Sequence, residues 1–247
     1  MKYFIGNWKM FGVPRSINIL KKINSFILKD KNRNKYRVII TPPYTLIQSF
    51  VKQLNNKKIM IGSQNCYQKD KFSSNTAAVS PYMIKSLGTK YTLIGHSDNR
   101  TEGDTDLMLK EKVKFSLKNN LKIIFCIGEN KSQKQNNKTF STLKGQLTKV
   151  LENKFNKKNI IVAYEPIWSI GSGKIPNQKD LLKTIIHIKK VLKSIYKKNS
   201  IAVLYGGSVD GNNVNMLKEI REIDGFLIGG ASKSSKKFID IIKNYYR

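Results

Sequence analysis

Eight short, nearly continuous apolar runs punctuate the chain at intervals of roughly thirty residues. They are Tyr3–Ile5, Val38–Ile40, Ile59–Ile61, Tyr91–Ile94, Ile123–Ile127, Ile160–Val162, Ile201–Tyr205 and Phe226–Ile228. Consecutive apolar positions suit a strand covered on both faces, as in a parallel sheet. Between the runs the apolar period changes. Ile47, Phe50, Val51 and Leu54 share one helical face, as do Leu143, Leu147, Val150 and Leu151. Leu181, Ile185, Ile188, Leu192 and Ile195 form the longest stripe, and Phe238, Ile241, Ile242 and Tyr245 the last. These stripes are surfaces for burial and carry no chemistry. Strands alternating with helices predict an α/β fold with a parallel sheet, and eight such units predict a closed (β/α)8 barrel. An open doubly wound sheet is the alternative, but no G-x-G-x-x-G follows the first run. No linker interrupts the pattern, so residues 1–247 read as a single domain. The polar stretch Lys131–Lys138 reads as a loop leading into the fifth helix.

Charge limits the partners less than its size suggests. Lys and Arg number 46 against 16 Asp and Glu, a net charge of +30. The lysines are spread from end to end between apolar positions, whereas a dedicated nucleic-acid surface clusters its charge. The expectation is diffuse surface charge, with no dedicated nucleic-acid or membrane partner and only incidental, salt-sensitive polyanion binding. Cys66 and Cys126 are the two cysteines, and neither C-x-x-C nor metal-ligand spacing occurs, so no metal site is expected. Both read as reduced intracellular thiols. The apolar run near Met1 is too short for a signal peptide, and no run reaches transmembrane length. A soluble cytoplasmic protein is expected.

In a barrel of this kind, chemistry collects where strands end. The residues just after the runs are Asn7 and Lys9; His96, Ser97 and Asp98; Gly128 and Glu129; Glu165; Gly206, Gly207 and Ser208; and Gly229, Gly230, Ala231 and Ser232. A potential base, an imidazole, an ammonium and two Gly-Gly loops thus converge on one rim. The last two loops are where such barrels bind phosphate through backbone N–H groups. After Glu165, Pro166 forces the chain out of the sheet, and Gly171 and Gly173 follow, which suits a carboxylate base beneath a mobile cover. Taken singly, Glu165 is also a solvated residue before a turn, Lys9 a surface charge and the Gly-Gly pairs ordinary turns. Their common placement favours function. His187 lies inside a helical stripe region and reads as structural.

These residues resemble one family closely, triosephosphate isomerase. The matching motifs are Gly6-Asn-Trp-Lys-Met10, Gly95-His-Ser97, Cys126-Ile-Gly-Glu129, Ala163-Tyr-Glu-Pro-Ile-Trp168, Gly171-Ser-Gly-Lys174, Tyr205-Gly-Gly-Ser-Val209 and Leu227-Ile-Gly-Gly-Ala-Ser232, in family order from end to end. The resemblance implies a TIM barrel, a homodimer, no cofactor, and interconversion of dihydroxyacetone phosphate and glyceraldehyde 3-phosphate. It implies Glu165 as the base, His96 as a neutral electrophile and Lys9 as the cation at the enediolate, with Asn7 nearby. Gly171, Ser208, Gly229 and Gly230 are implied as the phosphate site, Ser97, Asp98 and Cys126 as supporting residues, and the loop from Pro166 to about Pro176 as the lid.

Three departures from the family carry expectations. The family's Tyr-Gly-Gly-Ser tyrosine latches the lid by bonding the amide at the position of Pro176, and proline has no N–H, so Tyr205 lacks that bond. The loss of one hydrogen bond, worth about 0.5–1.5 kcal/mol, predicts an altered closure equilibrium with activity retained and Ser208 still able to hold the Gly173 amide. Asp98 is a methylene shorter than the family's Glu, which shortens its reach toward Lys9. Asn99 stands for an Arg, and Ala78 for the Glu that pairs with it across the dimer, so a less polar interface is expected, with Thr76 approaching the neighbouring site.

Overall fold

The computed structural model describes residues 1–54, 58–197 and 201–247. Every predicted run lies in or beside a strand: β1 Lys2–Asn7, β2 Tyr36–Thr41, β3 Ile59–Ser63, β4 Tyr91–Ile94, β5 Lys122–Ile127, β6 Ile160–Tyr164, β7 Ala202–Tyr205 and β8 Gly225–Ile228. The strands pair in parallel in chain order, and Gly6 of β1 aligns with Ile228 of β8, closing the barrel and setting aside the open sheet.

The alternation of the pleat divides the core in two. Ile5, Ile39, Leu93, Ile124, Ala163, Leu204 and Leu227 fill the barrel interior. Their neighbours Phe4, Val38, Ile40, Ile123, Val162, Val203 and Phe226 face outward into a larger cluster shared with the helices. Those helices are α1 Ile17–Lys29, α2 Tyr44–Gln53, α3 Pro81–Ser86, α4 Ser97–Thr101, α5 Asp106–Lys118, α6 Lys131–Gln135, α7 Thr139–Val150, α8 Gln178–Tyr196, α9 Val214–Leu217 and α10 Ser235–Tyr246. The predicted stripes are the faces they bury: Leu181, Ile185, Ile188 and Leu192 of α8 are each 0 % exposed. Burying four such side chains stabilises the fold by about 1.5–3 kcal/mol apiece before conformational entropy is counted. Asn177 caps α8 by accepting the Asp180 N–H at 2.8 Å, and Ser234 caps α10 in the same way through Lys237.

One expectation fails. Lys131–Lys138 is not simply a loop, because its first five residues form α6. Asn130 accepts from the Gln133 N–H at 2.8 Å while Gln133 Oε1 accepts from the Asn130 N–H at 2.9 Å. This reciprocal capping box nucleates a turn that has no apolar stripe to announce it. His187 is structural as expected, stacked on Phe140 with ring centroids 4.4 Å apart.

Candidate active site

β1 ends at Asn7, and Lys9 follows in a left-handed conformation with φ 53°. A side chain in that region costs about 1–2 kcal/mol, so its surroundings must hold it there. The Lys9 N–H donates to Asn7 Oδ1 at 3.0 Å, and Gln64 Nε2 donates to the carbonyls of Lys9 at 2.8 Å and Thr41 at 2.9 Å. Thus fixed, the Lys9 ammonium meets Asp98 Oδ2 at 3.3 Å. The shorter Asp98 side chain therefore still reaches Lys9.

His96 lies between β4 and α4, where its ring caps the helix. Nδ1 accepts the Asp98 N–H at 3.1 Å, and Asp98 Oδ2 lies 3.5 Å from the same nitrogen. A nitrogen that accepts a hydrogen bond carries no proton, so the ring is the neutral tautomer with its hydrogen on Nε2. Nε2 is 3.5 Å from Glu165 Oε1. His96 and Glu165 are 4 % and 5 % exposed. His96 Nε2 and Glu165 Oε2 are buried without a hydrogen-bond partner among the described residues. Each such group costs about 1–3 kcal/mol, and an uncompensated pair side by side marks a place built for a ligand.

Glu165 follows β6, its N–H donating to the Ile127 carbonyl at 2.8 Å. Two glycines make room for it. A Cβ on Gly128 would sit 1.8 Å from the Glu165 carbonyl oxygen, and one on Gly206 would sit 2.6 Å from Glu165 Cγ. Cys126 points into the barrel beneath it. Burial, and then the Glu165 charge, push the Cys126 thiol well above its ordinary range, so it remains a protonated wall. Ser97 and Cys126 line a small pocket of about 10 Å³ that Glu165 also borders, and neither lines the main cavity.

That main cavity, of about 460 Å³, is lined by Asn7, Lys9, His96 and Glu165 together with Gly171, Ser208, Gly229 and Gly230. All the sequence-predicted residues except Ser97, Asp98 and Cys126 therefore meet in one space. A Cβ on Gly229 or Gly230 would project into open space. Side chains there would occupy the volume a ligand needs beside the backbone. Lys237 also lines this cavity. As one lysine among many, it carried no signal in the sequence.

The loop after Pro166 is tied down over this cavity. The Gly173 N–H donates to Ser208 Oγ at 3.2 Å, and Ser208 Oγ donates to the Ser169 carbonyl at 2.8 Å. At the loop's root, Glu129 Oε1 accepts from Trp168 Nε1 at 2.9 Å and from the Tyr164 hydroxyl at 3.2 Å. Glu129 thus holds the root of this loop and does not line the main cavity. Burial raises its pKa, against the pull of the Trp168 and Tyr164 hydrogen bonds.

The family model for triosephosphate isomerase matches residues 2–245. A triosephosphate isomerase of Thermodesulfovibrio yellowstonii is 36 % identical over 245 residues, covering 98 % of either chain. One of Debaryomyces hansenii is 37 % identical over 248 residues, again covering 98 % of each. The crystal structure of triosephosphate isomerase from Bartonella henselae superposes with a TM-score of 0.90 at 30 % identity, covering 100 % of this chain and 99 % of that one. By matched length, identity and a barrel that superposes throughout, the chain belongs to the triosephosphate isomerase family and is an isomerase interconverting dihydroxyacetone phosphate and glyceraldehyde 3-phosphate.

Proposed function

We propose that Glu165, His96 and Lys9 carry the isomerisation in this chain. The observation that supports this most directly is the pairing of Glu165 Oε1 with His96 Nε2 at 3.5 Å, where the Asp98 N–H holds the opposite ring nitrogen as an acceptor. A carbon-bound proton beside a carbonyl is weakly acidic, so its removal needs simultaneous stabilisation of the developing oxyanion. Glu165 takes that proton, and the electron pair passes into the carbonyl to give an enediolate. His96 donates from Nε2 to the oxygens and carries the hydroxyl hydrogen from one to the other, while Lys9 offsets the negative charge. Glu165 then returns the proton to the adjacent carbon, giving the other isomer with every atom accounted for.

The amides of Gly171, Gly229 and Gly230, with Ser208, hold the phosphate in the same cavity. Asn7 and Asp98 set the position of Lys9 and His96, Ser97 and Cys126 back Glu165, and the lid over Gly171–Lys174 keeps water from the enediolate. The test is the isomerisation rate of Glu165→Gln beside wild type. A general base contributes about 10²–10⁴-fold, and a variant that keeps wild-type kcat overturns the assignment.

The chain acts as one domain, cytoplasmic and homodimeric. Two buried free thiols, Cys66 and Cys126, support a reducing compartment. No helix among the described residues is long and apolar enough to cross a membrane. Exposed apolar side chains support the dimer: Met10 is 99 % and Phe72 76 % exposed, with Val13, Tyr82 and Met83 also uncovered. Isolated apolar residues are ordinary on a surface, but exposed apolar side chains grouped after β1 and along the segment from Phe72 into α3 are what a partner covers. Asn99 and Ala78 make that contact less polar, and Thr76 on the exposed loop reaches toward the partner's site. Sedimentation at micromolar concentration tests this, and a monomer there overturns it.

A further inference from the structure

Ser169 is 0 % exposed, and its hydroxyl meets one group in the lid and one on the barrel. Ser169 Oγ donates to the Lys174 carbonyl, at the lid's far end. The Tyr205 hydroxyl, at the end of β7, lies 3.3 Å from the same Oγ. A serine hydroxyl has one hydrogen, already given to Lys174, so Tyr205 must be the donor in the second bond. Burial pushes the Tyr205 hydroxyl up to about 12, which keeps it a donor across the working pH range. A Cβ on Gly207 would fall 2.1 Å from the Tyr205 hydroxyl and 2.8 Å from Ser169 Oγ, so the space for this chain of bonds exists only because position 207 is glycine. The Ser169 carbonyl meanwhile accepts from Ser208 Oγ at 2.8 Å and from Ser172 Oγ at 3.1 Å.

We infer that Ser169 is a positioning residue for the isomerisation: its hydroxyl relays Tyr205 to the Lys174 carbonyl and so latches the lid where Pro176 offers no N–H. Tyr205 keeps its role as an anchor on the barrel, but its bond reaches the lid in two steps instead of one. The inference rests on the site assignment above, because a latch matters only if the lid shields an enediolate. An unlatched lid admits water and lets the enediolate collapse, its electron pair expelling inorganic phosphate as the C–O bond breaks.

The experiment compares wild type, Ser169→Ala, Tyr205→Phe, the double variant, and Ser169→Ala with Pro176→Ala. Isomerisation kinetics, inorganic phosphate released per turnover and thermal unfolding are read for each. Loss of one hydrogen bond predicts a fall in kcat of about three- to tenfold for either single variant, with phosphate release rising in step. Because both variants break one relay, the double variant should be no worse than the poorer single variant. Pro176→Ala restores an N–H within the family's direct latch and should recover part of the loss, an outcome that a purely structural role for Ser169 does not give. Tyr205→Phe leaves the Ser169–Lys174 bond intact and keeps the question answerable if Ser169→Ala folds poorly. Wild-type kcat and phosphate release in both single variants overturn the relay, as do losses that multiply in the double variant. If Glu165→Gln retains full kcat, the site assignment falls and takes the relay with it; if only the Ser169 series is silent, the relay falls alone.

Discussion

Gly206→Ala tests whether the position of Glu165, and not merely its presence, sets the rate. Gly206 has no side chain, and its N–H is held by the Tyr164 carbonyl at 2.8 Å, so its backbone has little room to retreat. The added Cβ would lie 2.6 Å from Glu165 Cγ and 3.3 Å from both Cδ and Oε1. Carbon atoms rest at about 3.5–4.0 Å, so Glu165 must withdraw by about 1 Å. It has few directions to take, since the Gly128 Cα lies against its carbonyl and the Cys126 thiol beneath it. A displacement of about 1 Å in a reacting group costs about a hundredfold in rate. That is about 3 kcal/mol of barrier at 1.4 kcal/mol per tenfold. Overpacking costs about 1–3 kcal/mol of stability as well, so thermal unfolding must be measured beside the kinetics. The expected result is a folded protein whose kcat drops about a hundredfold while inhibition by inorganic phosphate, held at the proposed phosphate site, changes little. A Gly206→Ala enzyme with wild-type kcat would refute the claim that this contact aims the base.

Two further results are expected. The pKa of Glu129 is raised from 4.5 by burial, so between 4.5 and its raised value the folded chain binds more protons there than the unfolded chain. The stability this group contributes is complete below 4.5 and lost as pH rises through the folded pKa, so thermal unfolding against pH should fall more across that window for wild type than for Glu129→Gln; parallel curves would count against it. Lys237 is exposed and lines the main cavity, where it would add positive charge near the proposed phosphate site. Lys237→Ala should raise KM about two- to fivefold at low salt with kcat unchanged, the effect fading as salt screens it. Lys236→Ala, on the same helix, serves as the control, and equal KM values for the two variants would discount Lys237.

The sequence by itself determined the barrel and most of its reactive rim. Eight apolar runs and intervening helical stripes leave few ways to bury both at once, and the count favoured a closed sheet, which the β1–β8 pairing completes. Residues at strand ends were legible for the same reason: once Ile94 ends a strand, His96 must stand on the rim, and likewise Glu165 after Tyr164. Capping by side chains without an apolar stripe was not legible: α6 rests on the Asn130–Gln133 box, which no periodic pattern announces. The motifs pointed to Glu165 as the base, but not to the bonds by which Glu129 holds Trp168 and Tyr164. What only the tertiary structure decided is which polar atoms meet. The His96 tautomer depends on the Asp98 N–H, the reach of the shorter Asp98 on where Lys9 is held, and the lid's latch on Tyr205 and Ser169 approaching from residues 36 positions apart. Burial follows a periodic pattern that a linear sequence carries, whereas a hydrogen bond depends on tenths of an ångström between segments that only the closed barrel brings together.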